Sequence, residues 1–435
     1  MIDDRRTAGL PPDTIRIELP YGDRMLPLDV PAANLQGVLW PAQGSEETAV
    51  EESEEALLWQ ALAEPTGTPR LRELARPGRS VAIVTSDLTR PCPSERLLPP
   101  VLAELSAAGV RDKDVTVVMA LGLHRAMSRA EMETAIGAEV YLRVRVVNHD
   151  PNDTIKLGTT SAGTPVEIYR PVVEADQRIC LGNLEFHYFA GYSGGAKAIL
   201  PGCASRATVT ANHAMMVRPE AAAGKLQGNP VRADLEEGLA MLGVDFIVNV
   251  VVDGARHRIT GAVAGDVTAA HRQGCQMVAR RGMMPVDGRA SVVLVSAGGY
   301  PKDLNLYQAQ KALDNAAHAL KPDGILILVA RCEEGFGNQT FENWLTAAHS
   351  PEELLERIQQ DFVLGGHKAA AIAAVQTRAR IHLVSALPRD VVQRCGLVPF
   401  ADAPTALEAA LAELGRDASL LVLPHGGSIL PVVNG

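Results

Sequence analysis

Short apolar runs alternate with amphipathic stretches along most of this 435-residue chain. Ser80–Asp87, SVAIVTSD, is nearly uninterrupted apolar sequence, the pattern of a strand covered on both faces. Ser94–Val110 follows with apolar side chains at Leu97, Leu98, Val101, Leu102 and Leu105, a helical spacing. Ser94 suits its N-cap, and Pro99 and Pro100 suit its first turn. Asp114–His124 predicts the next strand with its exit loop, and Arg178–Glu185 a further one. In Met283–Ala290, MMPVDGRA, Pro and Gly predict a linker. Beyond it the pattern predicts strands at Ser291–Gly299, Gly324–Ala330 and Arg380–Ser385. Helices are predicted from about Leu306 to Leu320 and around Pro351–Gln360. Ser419–Val433 closes the chain as a strand and a Gly/Pro turn.

Strand–helix–strand alternation implies parallel sheets with helices on their faces. The expected class is therefore α/β: two α/β domains with parallel-type sheets and an interdomain cleft where a ligand would sit. The N-terminal domain is assigned residues 1–282 and the C-terminal domain 283–415, with 416–435 returning to pack on the first.

Composition narrows the function. A formal net charge of −10 disfavours nucleic acid or an anionic membrane as the main partner. The six cysteines, Cys92, Cys180, Cys203, Cys275, Cys332 and Cys395, lie far apart without a CxxC pair, which points to reduced thiols rather than a zinc knuckle or disulfide framework. The opening MIDDRRTAGLPPD lacks an apolar targeting region, and no apolar run is long enough to span a bilayer. A cytoplasmic protein is expected. The acidic stretch Gly44–Leu62 reads as a solvated loop entering a helix that turns Leu57, Leu58 and Leu62 inward.

Four strand exits carry polar residues where open parallel sheets place functional groups. TSDLTRPCP supplies Asp87, Thr89 and Arg90; this is either an Asp/Pro turn or a carboxylate or phosphate grip through the planar guanidinium. ALGLHRAMSRAEM places His124 beyond a strand, while Ser128 and Glu131 make a capping box for the next helix. EFHYFAGYSGGAKAILPG holds His187, several glycines and Lys197, but has neither P-loop spacing nor a dinucleotide fingerprint. Its glycines would let backbone approach a ligand and set Lys197 near a helix start, where the dipole and desolvation lower its pKa and favour an amine nucleophile. His213 follows on a predicted helix. SAGGYPKDLNLYQAQKAL brings Tyr307, Gln308 and Lys311; Gln308 and Lys311 share a helical face and could grip one carboxylate, or simply face solvent.

Taken together, DLTRP, GLH, HYFAGYSGGAK, ANH and YQAQK, with the closing LPHGGSILP, resemble the nickel-pincer lactate racemase family over nearly the whole chain. The resemblance implies a racemase or epimerase of 2-hydroxy acids, working by reversible hydride transfer to a nickel-bearing pyridinium mononucleotide with thioacid-derived groups. It implies that Lys197 tethers this cofactor as a thioamide, that His213 coordinates nickel, and that His124 and His187 are the acid/base pair. Arg90, Tyr307, Gln308 and Lys311 fall at positions around the substrate and its carboxylate, and Asp87 and Arg90 lie beside the cofactor. Enzymes of cofactor synthesis are the implied maturation partners. The family also has a tryptophan near the cofactor; Trp344, the sole tryptophan past Trp59, stands closer to Lys311 than that pattern has it.

Two other readings compete. His124, His187 and His213 could form the ligand set of a zinc-type hydrolase, although no HExxH-like close pair accompanies them. Alternatively, the chain could bind carboxylates or nucleotides without catalysis.

Overall fold

The computed structural model describes residues 13–41, 53–88, 90–253, 258–360 and 362–434. Thr89, residues 42–52, which include the start of the acidic stretch, and the first residues of the chain lie outside them. The described residues form two compact units, one made of 53–280 and one of 13–41 with 281–434.

The 53–280 unit is built on six strands in the order Ile259–Gly265, Phe246–Val252, Gln177–Asn183, Val81–Ser86, Val115–Ala120 and Arg145–Asn148. All neighbours pair in parallel except the first two. The central strands are apolar along their length because both faces are covered, with Val81, Ile83, Val115, Val117, Ile179 and Leu181 in one core with Leu97, Leu98, Val101 and Leu105. Chain order reverses between Val81–Ser86 and Gln177–Asn183, so their carboxyl ends open a crevice where loops diverge.

The helix after the first of these strands spans Ser94–Ala107, and its details differ from expectation. Pro93 is the N-cap, because the Ser94 hydroxyl is drawn inward to Thr85 Oγ1 at 2.6 Å. Pro99 and Pro100 lie inside the helix rather than in its first turn, so the carbonyls of Glu95 and Arg96 have no helical N–H to accept. The expected capping box is present: Ser128 Oγ accepts from the Glu131 N–H, and Glu131 accepts from the Ser128 N–H at 2.7 Å.

The second unit is a six-stranded, all-parallel sheet ordered Val398–Phe400, Arg380–Val384, Leu320–Val329, Ala290–Ser296, Leu420–Leu423 and Leu35–Val38. The expected division of the chain thus fails at both ends. Thr14–Tyr21 and Arg24–Pro31 form an antiparallel hairpin whose Ile17, Leu19, Leu28 and Val30 share a core with Val292, Leu294, Ile325 and Ile327, so these residues sort with the C-terminal half. Residues 416–434 stay in that half too, since Leu420–Leu423 is an interior strand. The expected linker contains a strand, Met283–Val286, paired in parallel with Leu430–Val433. The predicted helix ends early, at Ala317, because Leu320 already begins a strand. Among the described residues no helix is long and apolar enough to cross a membrane.

Candidate active site

The strand Val81–Ser86 delivers Asp87, and Val115–Ala120 delivers the loop bearing His124. Asp87 is 6% exposed and takes a 2.5 Å hydrogen bond from His124 Nδ1. An ionised carboxylate can only accept, so His124 carries its proton on Nδ1 and, when neutral, presents a basic Nε2. Asn148 holds this loop from the neighbouring strand: its Nδ2 donates to Met127 O at 2.8 Å and its Oδ1 accepts from the Met127 N–H. Arg90 closes the turn with its N–H donating to Asp87 O.

The strand Gln177–Asn183 leads into a tight hairpin, Phe186–His187 against Gly191–Tyr192. Phe189 at its tip is the hub of the site. The His187 ring meets it edge-on at 4.5 Å, the His213 ring at 4.9 Å, and Lys197 Nζ lies 5.6 Å from its centroid. His187 also stacks on Tyr188 at 5.3 Å, and its Nδ1 accepts from the Ala190 N–H. Two side chains of the Pro230–Ala240 helix and its cap grip the hairpin backbone. Asn229 donates to Phe189 O at 2.8 Å; Arg232, 1% exposed, donates to Ala190 O and Tyr192 O.

Lys197 lies in a short 3-10 turn, Gly195–Ala198, so helix-dipole help is minimal. Its amine is nevertheless held well below the ordinary lysine range, first by burial and then by the Arg90 and Arg232 guanidiniums, with Glu185 opposing. His187 is pushed well below its usual value by burial, Lys197, Arg90 and His213. Burial and the cationic surrounding act in the same direction on both groups, each favouring the uncharged form. Arg232, itself lowered to about 10 by burial, contributes to that field.

The glycines serve another purpose than expected. At Gly191 (φ +78°) a Cβ would fall 2.2 Å from Lys225 O, at Gly194 (φ +72°) 2.7 Å from Asn249 Oδ1, and at Gly195 (φ +57°) 2.7 Å from the His271 ring. Protein atoms already occupy the space each glycine leaves, so these positions are set by packing and left-handed backbone rather than by room for a ligand. Asn249 Oδ1 accepts from the Gly195 N–H at 2.8 Å, and His271 Nε2 donates to Ser193 O at 2.9 Å, fixing the loop that carries Lys197.

His213 stands on the predicted helix, Arg206–Ala214, with Ser205 as N-cap. It is 7% exposed, and its Nδ1 lies 3.0 Å from Asn212 Oδ1. The structure thus gathers His187, Lys197 and His213 around one ring, within the electrostatic reach of Arg90, and sets the Asp87–His124 pair on the same sheet edge. Among the described residues, no three His, Cys, Asp or Glu side chains are grouped so as to hold a metal. The zinc-hydrolase reading of His124, His187 and His213 therefore lacks its ligand set.

Tyr307, Gln308 and Lys311 belong to the other unit, on the helix Leu306–Ala317 capped by Asn305. All three are partly buried. Tyr307 packs edge-on against Phe341 at 5.6 Å, and Lys368 Nζ, bonded to Gln310 Oε1 at 2.8 Å, lies 5.1 Å from its ring. Trp344 is a core residue, 4% exposed, with Gly366 beneath its ring and Arg357 4.1 Å from its centroid. Phe189, Arg232, Asn249 and His271 were not singled out from sequence. An arginine one turn into an otherwise ordinary helix, after Asn229-Pro230, was the one visible signal.

Known proteins resemble this chain in both of its halves. The lactate racemase N-terminal domain family matches residues 21–224, and the lactate racemase C-terminal domain family matches 286–431. The lactate racemase of Thermoanaerobacterium thermosaccharolyticum is 33% identical over 425 residues, 95% of this chain and 98% of that protein. That of Lactiplantibacillus plantarum is 30% identical over 426 residues, 96% and 99% of the two chains. The structure of the Thermoanaerobacterium lactate racemase apoprotein superposes with a TM-score of 0.87 at 32% identity, covering 97% of this chain and all of that one. A Thermotoga maritima protein with 18% identity and a TM-score of 0.64 shares the fold. With both halves matched in order and the relatives spanned almost end to end, the chain belongs to the lactate racemase family.

Proposed function

We propose that this isomerase interconverts the enantiomers of a 2-hydroxy acid, lactate being the first candidate, with a nickel-pincer nucleotide tethered to Lys197. The convergence of a buried amine held below the ordinary lysine range, a buried imidazole and His213 on the Phe189 ring carries the reading. The donor set fits such a group. A neutral amine is the form that acylates, and a lone imidazole suits a metal whose remaining ligands come from the cofactor. When bound, the nucleotide supplies the acceptor and donor of hydride for the α-carbon.

The remaining work falls to this chain's side chains. His124 and His187 exchange a proton with the substrate hydroxyl, one for each enantiomer, since the hydroxyl changes side when the centre inverts. Asp87 fixes His124 with Nε2 as the working nitrogen. Burial favours the uncharged His187 ring; its Nδ1 accepts from the Ala190 N–H, so taking the hydroxyl proton there requires that bond to open. Arg90, Gln308 and Lys311, with Tyr307 beside them, are the proposed carboxylate ligands; a planar guanidinium and an ammonium suit that charge.

The test uses protein made alongside the cofactor-synthesis enzymes and a panel of enantiopure 2-hydroxy acids carrying deuterium at the α-carbon. Racemisation with the label retained is expected. Racemisation with complete exchange of the label into solvent would overturn the hydride reading, and no racemisation of any member would overturn the activity.

A further inference from the structure

We propose that Asn212 and Asp234 form a positioning relay that fixes His213 as its Nδ1–H tautomer and reserves the Nε2 lone pair for the metal; this rests on the reading of His213 as the nickel ligand. The assignment follows from hydrogen-bond bookkeeping. Asn212 Nδ2 lies 2.7 Å from Asp234 Oδ2 and 3.2 Å from Val231 O. A carboxylate and a carbonyl only accept, so the NH2 of the carboxamide must face them. Its oxygen is thereby turned to His213 Nδ1, 3.0 Å away. An amide oxygen cannot donate, so Nδ1 carries the hydrogen and the neutral ring keeps its lone pair on Nε2.

The far end of the relay is equally constrained. Asp234 is 2% exposed, and it accepts from the Thr160 hydroxyl and from Thr164 Oγ1 at 2.8 Å. The Thr164 N–H donates to Thr160 Oγ1 at 3.1 Å, which leaves the Thr160 hydroxyl proton for the carboxylate. Three donors thus fix Asp234 as an acceptor, Asp234 fixes the Asn212 amide, and the amide fixes the ring. Asn212, itself 2% exposed, has no solvent route to a flipped state. Hydrogen bonds of this kind orient metal-binding histidines and commonly change metal affinity about 10–100-fold.

The experiment is a long-range proton–nitrogen NMR correlation on full-length, cofactor-free protein labelled with 15N-histidine at mildly alkaline pH, the His213 signals being assigned by their loss in His213→Gln. A protonated Nδ1 and an unprotonated Nε2 are expected. A protonated Nε2, or a mixture of tautomers, would overturn the relay, and this readout needs no nickel. In Asp234→Asn the Asn212 amide can turn over, so a mixed tautomer is expected, with nickel retention by the loaded protein weakened about 10–100-fold while the Lys197 adduct persists. Unchanged tautomer and nickel retention in that variant would also overturn it. If His213 shows the expected tautomer but His213→Gln keeps its nickel, the ligand assignment fails and the tautomer assignment stands.

Discussion

Lys197 shows at the scale of one residue how packing sets reactivity. Burial and two guanidiniums hold its amine below the ordinary lysine range, so it gives up its proton at lower pH than an exposed lysine does. Amine-selective acylation of the cofactor-free protein should label Lys197 with a pH midpoint well below 10.5, and a midpoint at the ordinary lysine value would contradict this field. The stability consequence has a definite sign. The unfolded chain binds the Lys197 proton more tightly than the fold does, so below the folded pKa the buried amine opposes folding, and the penalty fades as pH rises toward 10.5. Lys197→Met should therefore stabilise the cofactor-free protein at neutral pH, measured as a higher Tm. Replacing His124 or His187 by Asn should lower kcat by about 10²–10⁴-fold if they are the acid/base pair, with the fold intact by circular dichroism. Equal turnover after either change would remove that histidine from the mechanism.

At the scale of elements, what could be read depended on how local the determining physics is. The strands Val81–Ser86, Ala290–Ser296 and Arg380–Val384 were legible because strands covered on both faces are runs of apolar residues. The Ser128–Glu131 box was legible because both partners lie within one turn. Ser94 misled as a cap because its hydroxyl answers to Thr85 on a neighbouring strand. The Lys197 loop was legible as a concentration of chemistry, but the reason for its glycines was not, since His271 and Asn249 lie far along the chain. Gly195→Ala should destabilise the fold by about 2–4 kcal/mol, through left-handed strain and overpacking on His271. Gly163→Ala, at φ +89° with nothing within 4 Å, should cost only the strain, about 1 kcal/mol. Chemical denaturation of the two variants checks the difference, and equal costs would refute the packing argument.

Across the whole molecule, the division of the chain was the least legible feature, because it depends on where the first hairpin packs. The alternation in Thr14–Pro31 fits a hairpin, but nothing local says whose core receives Ile17, Leu19, Leu28 and Val30. A fragment ending at residue 282 should expose that apolar face and associate in size-exclusion chromatography, whereas one spanning 53–280 keeps its core whole; a monomeric 1–282 fragment would count against the division. Acid sensitivity is also a property of the whole. His149 and His271 are 3% and 1% exposed, and burial lowers them to about 4 and about 3. The unfolded chain protonates them near 6.5, so stability is full above that pH and is lost progressively as pH falls toward 3, by a few kcal/mol for each group. His149→Phe should flatten the pH 4–6.5 part of the urea-midpoint profile, and an unchanged profile would assign the acid limb elsewhere.

The account stands or falls on the Lys197 amine carrying the metallated nucleotide. Peptide mass spectrometry with metal analysis, on protein produced with the cofactor-synthesis enzymes, tests this most directly. A modified peptide containing Lys197, with nickel bound in proportion and both absent from Lys197→Ala, is the predicted result. An unmodified Lys197 in protein that racemises its substrate at full rate would contradict it.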